Sequence, residues 1–142
     1  MIARITGTVV QVAATALVVD LHGLGLRVLC TPATSASARP GEPITLHTSL
    51  VVREDSLTLF AFADAEERDA FELVQSVTGI GPKIAQAIVS VLPPDALRAA
   101  VASNNLAALT KVPGIGRKGA ERLVIELRDK VAGLGSGAAG GP

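Results

Sequence analysis

One short phrase occurs twice in this chain, 35 residues apart: Val77-Thr78-Gly79-Ile80-Gly81-Pro82-Lys83 and Val112-Pro113-Gly114-Ile115-Gly116-Arg117-Lys118. Aligning residues 74 to 88 with 109 to 123 gives six identities in fifteen positions, namely Val, Gly, Ile, Gly, Lys and Ala. Each copy stands between two stretches with helical periodicity, so the chain must fold there as a duplicated helix-hairpin-helix. Glycine permits positive φ in the turn and leaves no side chain between the backbone and a ligand. The second helix of each copy starts at once, with Pro82 at a first helical position where its missing N–H costs nothing. The free amides and positive dipole end of such a helix form an anion site, and Lys83 and Lys118 add a full charge beside it.

A P-loop needs four residues between its glycines, then Lys-Ser/Thr, after a strand; neither copy has these. A Rossmann fingerprint needs three glycines after a strand, whereas Phe71-Glu72-Leu73-Val74 and Leu106-Ala107-Ala108-Leu109 read as helix. Two equivalent anion sites suit a repeating polyanion better than one small ligand. The DNA backbone is the natural candidate, gripped without regard to base sequence. The plainer reading makes each Gly-Ile-Gly a tight helix connection with Ile80 and Ile115 plugging the core; two copies with lysine in register favour the ligand.

Formal net charge is zero, but residues 1 to 75 carry five Lys/Arg and nine Asp/Glu, while residues 76 to 142 carry eight and four. The halves are therefore −4 and +4. Lys111, Arg117, Lys118 and Arg122 cluster in sequence around the second hairpin, opposed nearby by Glu121. A charge cluster is often a solvated face; its coincidence with the glycine turn points to an electrostatic footprint.

Residues 1 to 62 read as short β-branched strands between turn formers, near Ile2 to Val12, Ala16 to Leu21, Leu26 to Thr31, Ile44 to Val52 and Leu57 to Phe62. Five strands with a Pro/Ser/Ala-rich stretch from Pro32 to Pro43 suggest a barrel of OB type. Asp64 with Glu67 three residues on resembles a capping box. Helices then fit Arg68 to Val77, Lys83 to Val91, Asp95 to Ala102, Leu106 to Lys111 and Arg117 to Val131. The fold class is α+β: a barrel domain at 1–63, a tandem helix-hairpin-helix domain at 64–132, and a Gly/Ala/Ser-rich flexible linker at 133–142.

Several functions are disfavoured. An OB barrel that binds single strands stacks bases on aromatic side chains, but the chain has no Trp, no Tyr and only Phe60, Phe62 and Phe71; all three read as core, and the barrel as scaffold. His22, His47 and the single Cys30 give no metal-ligand spacing, and no disulfide framework exists. No apolar stretch reaches membrane-span length. No signal-peptide layout is seen, and the expected setting is the cytoplasm, with no cofactor. Between two apolar strands lies Arg53-Glu54-Asp55-Ser56. It reads as a solvated turn, as part of a nuclease metal site that nothing nearby completes, or as an electrostatic barrier that raises the free energy of nearby phosphates.

Taken together and in order, Met1-Ile2-Ala3-Arg4-Ile5-Thr6-Gly7, Gly23-Leu24-Gly25, Val51-Val52-Arg53-Glu54-Asp55, both Gly-Ile-Gly phrases and Ala120-Glu121-Arg122 resemble the RuvA family of Holliday-junction-binding proteins over about residues 1 to 132. Each piece alone is weak; the set is specific. The resemblance implies an OB-type barrel and two helix-hairpin-helix motifs in a non-catalytic subunit. In the family, four subunits, or eight in two layers, hold a four-way junction open and square. It serves recombination, DNA repair and the SOS response. Glu54 and Asp55 match the family's acidic pin. Gly79, Gly81, Lys83, Gly114, Gly116 and Lys118 match its phosphate contacts, and Arg117 and Arg122 its basic positions. The implied partners are four-way junction DNA, the RuvB ATPase that does the mechanical work, and the RuvC resolvase. Two departures stand out: Leu26 replaces a residue often aromatic in the family, and the sequence stops within the linker that precedes the family's third, motor-docking domain. Motor binding is therefore assigned to no residue present. Rival readings of the hairpins are a structure-specific nuclease or a base-excision glycosylase, the latter disfavoured by the shortage of aromatics, and a protein-interaction module.

Overall fold

The computed structural model describes residues 1–131; the expected linker at 133–142 lies outside the described residues. The chain divides into two compact units, Met1–Arg68 and a second beginning at Asp69.

The first unit is a closed five-stranded barrel with neighbour order β1-β2-β3-β5-β4. Its strands are β1 (Arg4–Ala13), β2 (Ala16–Leu21), β3 (Leu24–Cys30), β4 (Pro43–Arg53) and β5 (Ser56–Phe62). All neighbours are antiparallel except β3 and β5, which run parallel through Leu29↔Phe60 and Cys30↔Ala61. Closure follows from β1 pairing on both sides, with β2 through Thr8↔Asp20 and with β4 through Gly7↔Ile44. Alternation along the strands sends Ile5, Leu17, Val19, Val28, Cys30, Leu46, Leu59 and Ala61 into one buried cluster. Burial of a large aliphatic side chain there contributes roughly 1.5–3 kcal/mol. Phe60, Phe62 and Phe71 are all buried, so none offers a stacking surface.

Local chemistry sets the turns. β2 and β3 are joined by His22 and Gly23, both at positive φ (54° and 99°), the pairing that matches strand twist in a two-residue hairpin. The Gly23 amide donates to Asp20 Oδ1 at 3.1 Å. This turn lets β3 start at Leu24, two residues before the sequence reading placed it. A second difference lies in the Pro/Ser/Ala-rich stretch, which contains a helix, α1 (Pro32–Ser37). Thr31 caps it by accepting from the Thr34 amide at 3.4 Å, and Pro32 opens its first turn. The six-residue segment has no apolar periodicity, so only its cap announced it.

The helices that follow are α2 (Ala65–Gln75), α3 (Pro82–Val91), α4 (Pro94–Ala102), α5 (Leu106–Thr110) and α6 (Arg117–Leu127). The Asp64 carboxylate accepts the Glu67 amide at 2.8 Å, and Glu67 Oε1 accepts the Ala63 amide at 3.2 Å. The reciprocal capping expected from the sequence therefore forms, with the glutamate reaching one residue further back. Burial, and then the neighbouring Asp64 charge, push the Glu67 carboxyl up. Asn105 caps α5 through the Ala108 amide at 3.1 Å. The second unit is built around Ile88, Leu97, Leu109, Leu123 and Leu127, all fully buried. No single helix among the described residues is long and apolar enough to cross a membrane.

Two outcomes follow. A Cβ on Gly7 would overlap the Asp20 carbonyl oxygen and the Val19 side chain, and backbone cannot yield cheaply. Gly7→Ala should cost about 2 kcal/mol and lower the melting temperature of the barrel by roughly 10 °C, as read by thermal circular dichroism. Glu67 has a raised pKa, so its ionisation opposes folding: stability is fuller below the unfolded value near 4.5 and is lost as pH rises through the higher folded value. The difference in melting temperature between Glu67→Gln and the parent should move in the variant's favour between pH 3 and pH 7. A difference independent of pH would contradict this.

Candidate nucleic-acid interface

Both repeated phrases take one conformation. In the first, the Ile80 amide donates to the Val77 carbonyl at 3.1 Å across Thr78 and Gly79; in the second, the Ile115 amide donates to Val112 at 3.0 Å across Pro113 and Gly114. The third residue of each four-residue turn is a glycine at positive φ, 86° at Gly79 and 92° at Gly114. An L-side chain there costs roughly 1–2 kcal/mol. Gly81 and Gly116 are extended and act as N-caps, and each carbonyl accepts the first helical bond, from Ala85 and from Ala120, at 2.9 Å in both cases.

These caps are chemically unusual within the chain. The starts of α1, α2 and α5 are capped by Thr31, Asp64 and Asn105. By contrast, α3 and α6 have no side-chain cap and no acidic residue in the first turn. Helix α4 also lacks a side-chain cap but carries Asp95 in its first turn, so among the described residues α3 and α6 are the starts with neither device, the arrangement that favours an anion from outside.

Burial separates anchor from contact surface. Val77, Val112 and Ile115 are buried, while Gly79, Gly114 and Gly116 are exposed. The glycine corners thus face solvent and do not plug the core. Lys83, Lys118, Arg117 and Arg122 are exposed as well. Among the described residues, Lys83 and Lys118 form no ion pair; Arg117 meets Glu121 at 3.7 Å in an exposed pair, an interaction of little energetic weight.

Arg122 departs from the sequence picture. It follows the second hairpin in sequence, but its Nη1 donates to the Thr78 carbonyl at 3.3 Å, in the turn of the first hairpin. One helical turn on, Glu126 Oε1 accepts the Thr78 amide at 3.2 Å. Packing is returned in the other direction, since a Cβ on Gly114 would lie 3.5 Å from Ile84 of α3. Sequence reasoning missed Thr78 and Glu126 altogether; nothing local signals a contact across 48 residues.

In the barrel unit, Glu54 and Asp55 form the two-residue turn of the β4–β5 hairpin, bracketed by Arg53↔Ser56 and Val52↔Leu57. Both carboxylates are exposed, as are Val52 (65 %) and Leu57 (72 %), so the hairpin tip stands clear of the barrel unit's core. Among the described residues no group of three His, Cys, Asp or Glu could hold a metal ion. Cys30 is fully buried, and burial pushes its thiol up to about 11.

Residues 1–61 match the RuvA N terminal domain, and residues 71–129 match the SAM-like helix-hairpin-helix tandem. A Holliday junction branch migration complex subunit RuvA from Beutenbergia cavernae is 59% identical over 139 residues, covering 98% of this chain and 69% of the relative. The proteins of the same name from Cutibacterium acnes and Streptomyces coelicolor are 55% and 52% identical, over 94% and 100% of this chain and 67% and 71% of theirs. The chain belongs to the RuvA family. It spans about two thirds to seven tenths of the length of these relatives. The barrel followed by paired helical hairpins is thus both the observed architecture and the one the family models describe.

The two glycine classes separate folding from contact. Gly114→Ala should destabilise the second unit by about 1–2 kcal/mol through φ alone, because ordinary contact distance to Ile84 leaves room for the methyl group. Gly116→Ala meets nothing within 4 Å and has an ordinary φ of −96°. Only the preference of an N-cap for glycine over alanine is lost, so its melting temperature should fall by no more than about 5 °C.

Proposed function

We propose that this chain is a non-catalytic DNA-binding subunit that grips four-way junctions and holds them open for branch migration. The observation that carries the reading is the pair of glycine-capped helix starts without a side-chain cap, half-buried at Gly81 and exposed at Gly116, each with an exposed lysine at its second position that forms no ion pair among the described residues. Such a grip addresses phosphates, not base edges, so it tolerates any sequence and allows the arms to slide. Gly79, Gly81 and Lys83 form the first contact set. Gly114, Gly116, Arg117 and Lys118 form the second, with Arg122 adding charge. The helical domain, assigned to residues 64–132, supplies affinity, and the barrel, assigned to 1–63, is scaffold.

Four copies would present eight hairpins, two to each arm, and crowd four Glu54-Asp55 pairs at the centre. The carboxylates then repel phosphates where strands separate, and the hairpins hold the duplex arms apart. The relatives are named as subunits of a branch migration complex. On that basis the partners are junction DNA, further copies of this chain and a separate motor, RuvB, that hydrolyses ATP. RuvC and a two-layered octamer belong to the same reading, and the compartment is the cytoplasm. A nuclease is the rival; the exposed Glu54-Asp55 turn, without a third metal-ligating neighbour among the described residues, favours repulsion over catalysis.

Binding to an immobile four-way junction tests this. Lys118→Ala should weaken affinity and reduce the salt slope by about one counterion per lost contact. Gly116→Ala, with its fold intact, should also lose affinity, because a methyl group then stands between main chain and phosphate. Glu54→Gln with Asp55→Asn should leave affinity equal or higher and erode the preference for junction over plain duplex. Cleavage of the labelled junction in magnesium would instead establish the nuclease.

A further inference from the structure

The two hairpins share a backbone path but solve one problem by different means. At the second position of the four-residue turn stands Pro113 in one copy and Thr78 in the other. Proline has a fixed φ and no N–H, which makes it the preferred residue at that turn position. Thr78 has neither property. Its amide is a donor that can compete for neighbouring acceptors, and its φ is free to vary.

What the first turn lacks in covalent restraint it receives from α6. Glu126 Oε1 accepts the Thr78 amide at 3.2 Å, and Arg122 Nη1 donates to the Thr78 carbonyl at 3.3 Å. Both polar groups of one residue are therefore held by side chains four residues apart on one helix face. Arg122 also lies over the turn, 3.2 Å from where a Cβ on Gly79 would sit. At the positions of α3 equivalent to Arg122 and Glu126, 35 residues earlier, stand Ala87 and Val91. No reciprocal clamp can reach the second turn, and Pro113 leaves no amide there to hold.

We infer that Glu126 and Arg122 are positioning residues for the first hairpin, clamping the Thr78 peptide groups so that the Gly79 and Gly81 amides keep a phosphate-ready geometry that Pro113 gives the second hairpin covalently. The inference rests on the proposed phosphate grip and adds to it a dependence of one hairpin on the other's helix. Glu126 carries the same charge sign as DNA, so its retention beside an anion site opposes binding electrostatically. The amide bond it makes is the compensating benefit.

A double-mutant cycle separates the two effects, since Thr78→Pro removes the amide that Glu126 holds and leaves the carboxylate in place. Four full-length chains are compared, the parent, Glu126→Ala, Thr78→Pro and the double variant, for affinity to an immobile junction and for amide exchange in the free protein. Glu126→Ala should weaken binding at least about threefold more in the parent background than in the Thr78→Pro background. In the free protein it should speed exchange at Ile80, the amide that closes the first turn, about tenfold, with Ile115 unchanged. Equal effects of Glu126→Ala in both backgrounds would show that the carboxylate acts through charge alone and overturn the inference. Unaltered Ile80 exchange would overturn it too, even if Thr78→Pro fails to fold. A parent that binds no junction DNA at low salt is a different result, one that removes the functional reading itself.

Discussion

A single backbone requirement organises the second unit: the third residue of each hairpin turn must have φ near +90°, and only glycine takes it without strain. Two residues on, a second glycine at an ordinary φ starts the next helix and puts no side chain over its leading amides. Glycine caps stabilise a helix about as well as a weak polar cap but consume none of its donors. One glycine of each pair closes the turn, and the other leaves the helix start without a side-chain cap. At the starts of α1, α2 and α5 the choice is reversed, and Thr31, Asp64 and Asn105 spend a side-chain oxygen on an amide, while α4 has no side-chain cap but carries Asp95 in its first turn. Among the described residues, α3 and α6 are thus the helix starts with neither a side-chain cap nor an acidic residue in the first turn, the feature on which the proposed phosphate grip rests.

The barrel unit works on the opposite sign of charge and with no aromatic surface. Its three-dimensional closure removes exposed edges, and the phenylalanines that another OB barrel could use for stacking are spent on burial. What it displays is the β4–β5 hairpin, whose tip carries two carboxylates above an exposed Val52–Leu57 pair. Asp is a favoured turn residue in its own right; under the proposed function the same two carboxylates would also repel phosphates brought near the tip.

Much of this was legible in residue order. Runs of β-branched residues between turn formers located all five strands, with β3 starting two residues earlier than read because His22 and Gly23 jointly make the turn that Gly23 to Gly25 suggested. The Gly-Ile-Gly repeat announced both turns and helix starts, and Asp64 with Glu67 announced α2. Helix α1 was missed, since six residues without an apolar stripe carry no periodic signal and its Thr31-Pro32 start is a weak one. Arg122 was placed correctly as an exposed cation but with the wrong hairpin. Sequence neighbourhood ties it to Gly114-Ile115-Gly116, whereas the packing of α6 carries it across to Thr78. Contacts of that range depend on how helices pack, and no local pattern encodes them.

Under the proposed phosphate grip, the two hairpins differ in the charge that their own helices bring. Helix α3 follows Lys83 with an apolar run that buries Ala85, Ile88 and Val89, so α3 itself brings one charge to the first site, and the second cation there, Arg122, comes from α6. Helix α6 begins Arg117-Lys118, has Lys111 just before its turn, and exposes all three. Dipoles act over a single turn and are fixed by geometry, whereas full charges act over a Debye length and weaken with salt. The second hairpin is thus suited to early, long-range capture of a polyanion. The first is suited to registering a phosphate at short range, and it is the one whose turn geometry is held by side chains from outside. Precision matters most where reach is least, which is a physical reason for the clamp on Thr78 to exist in one copy only.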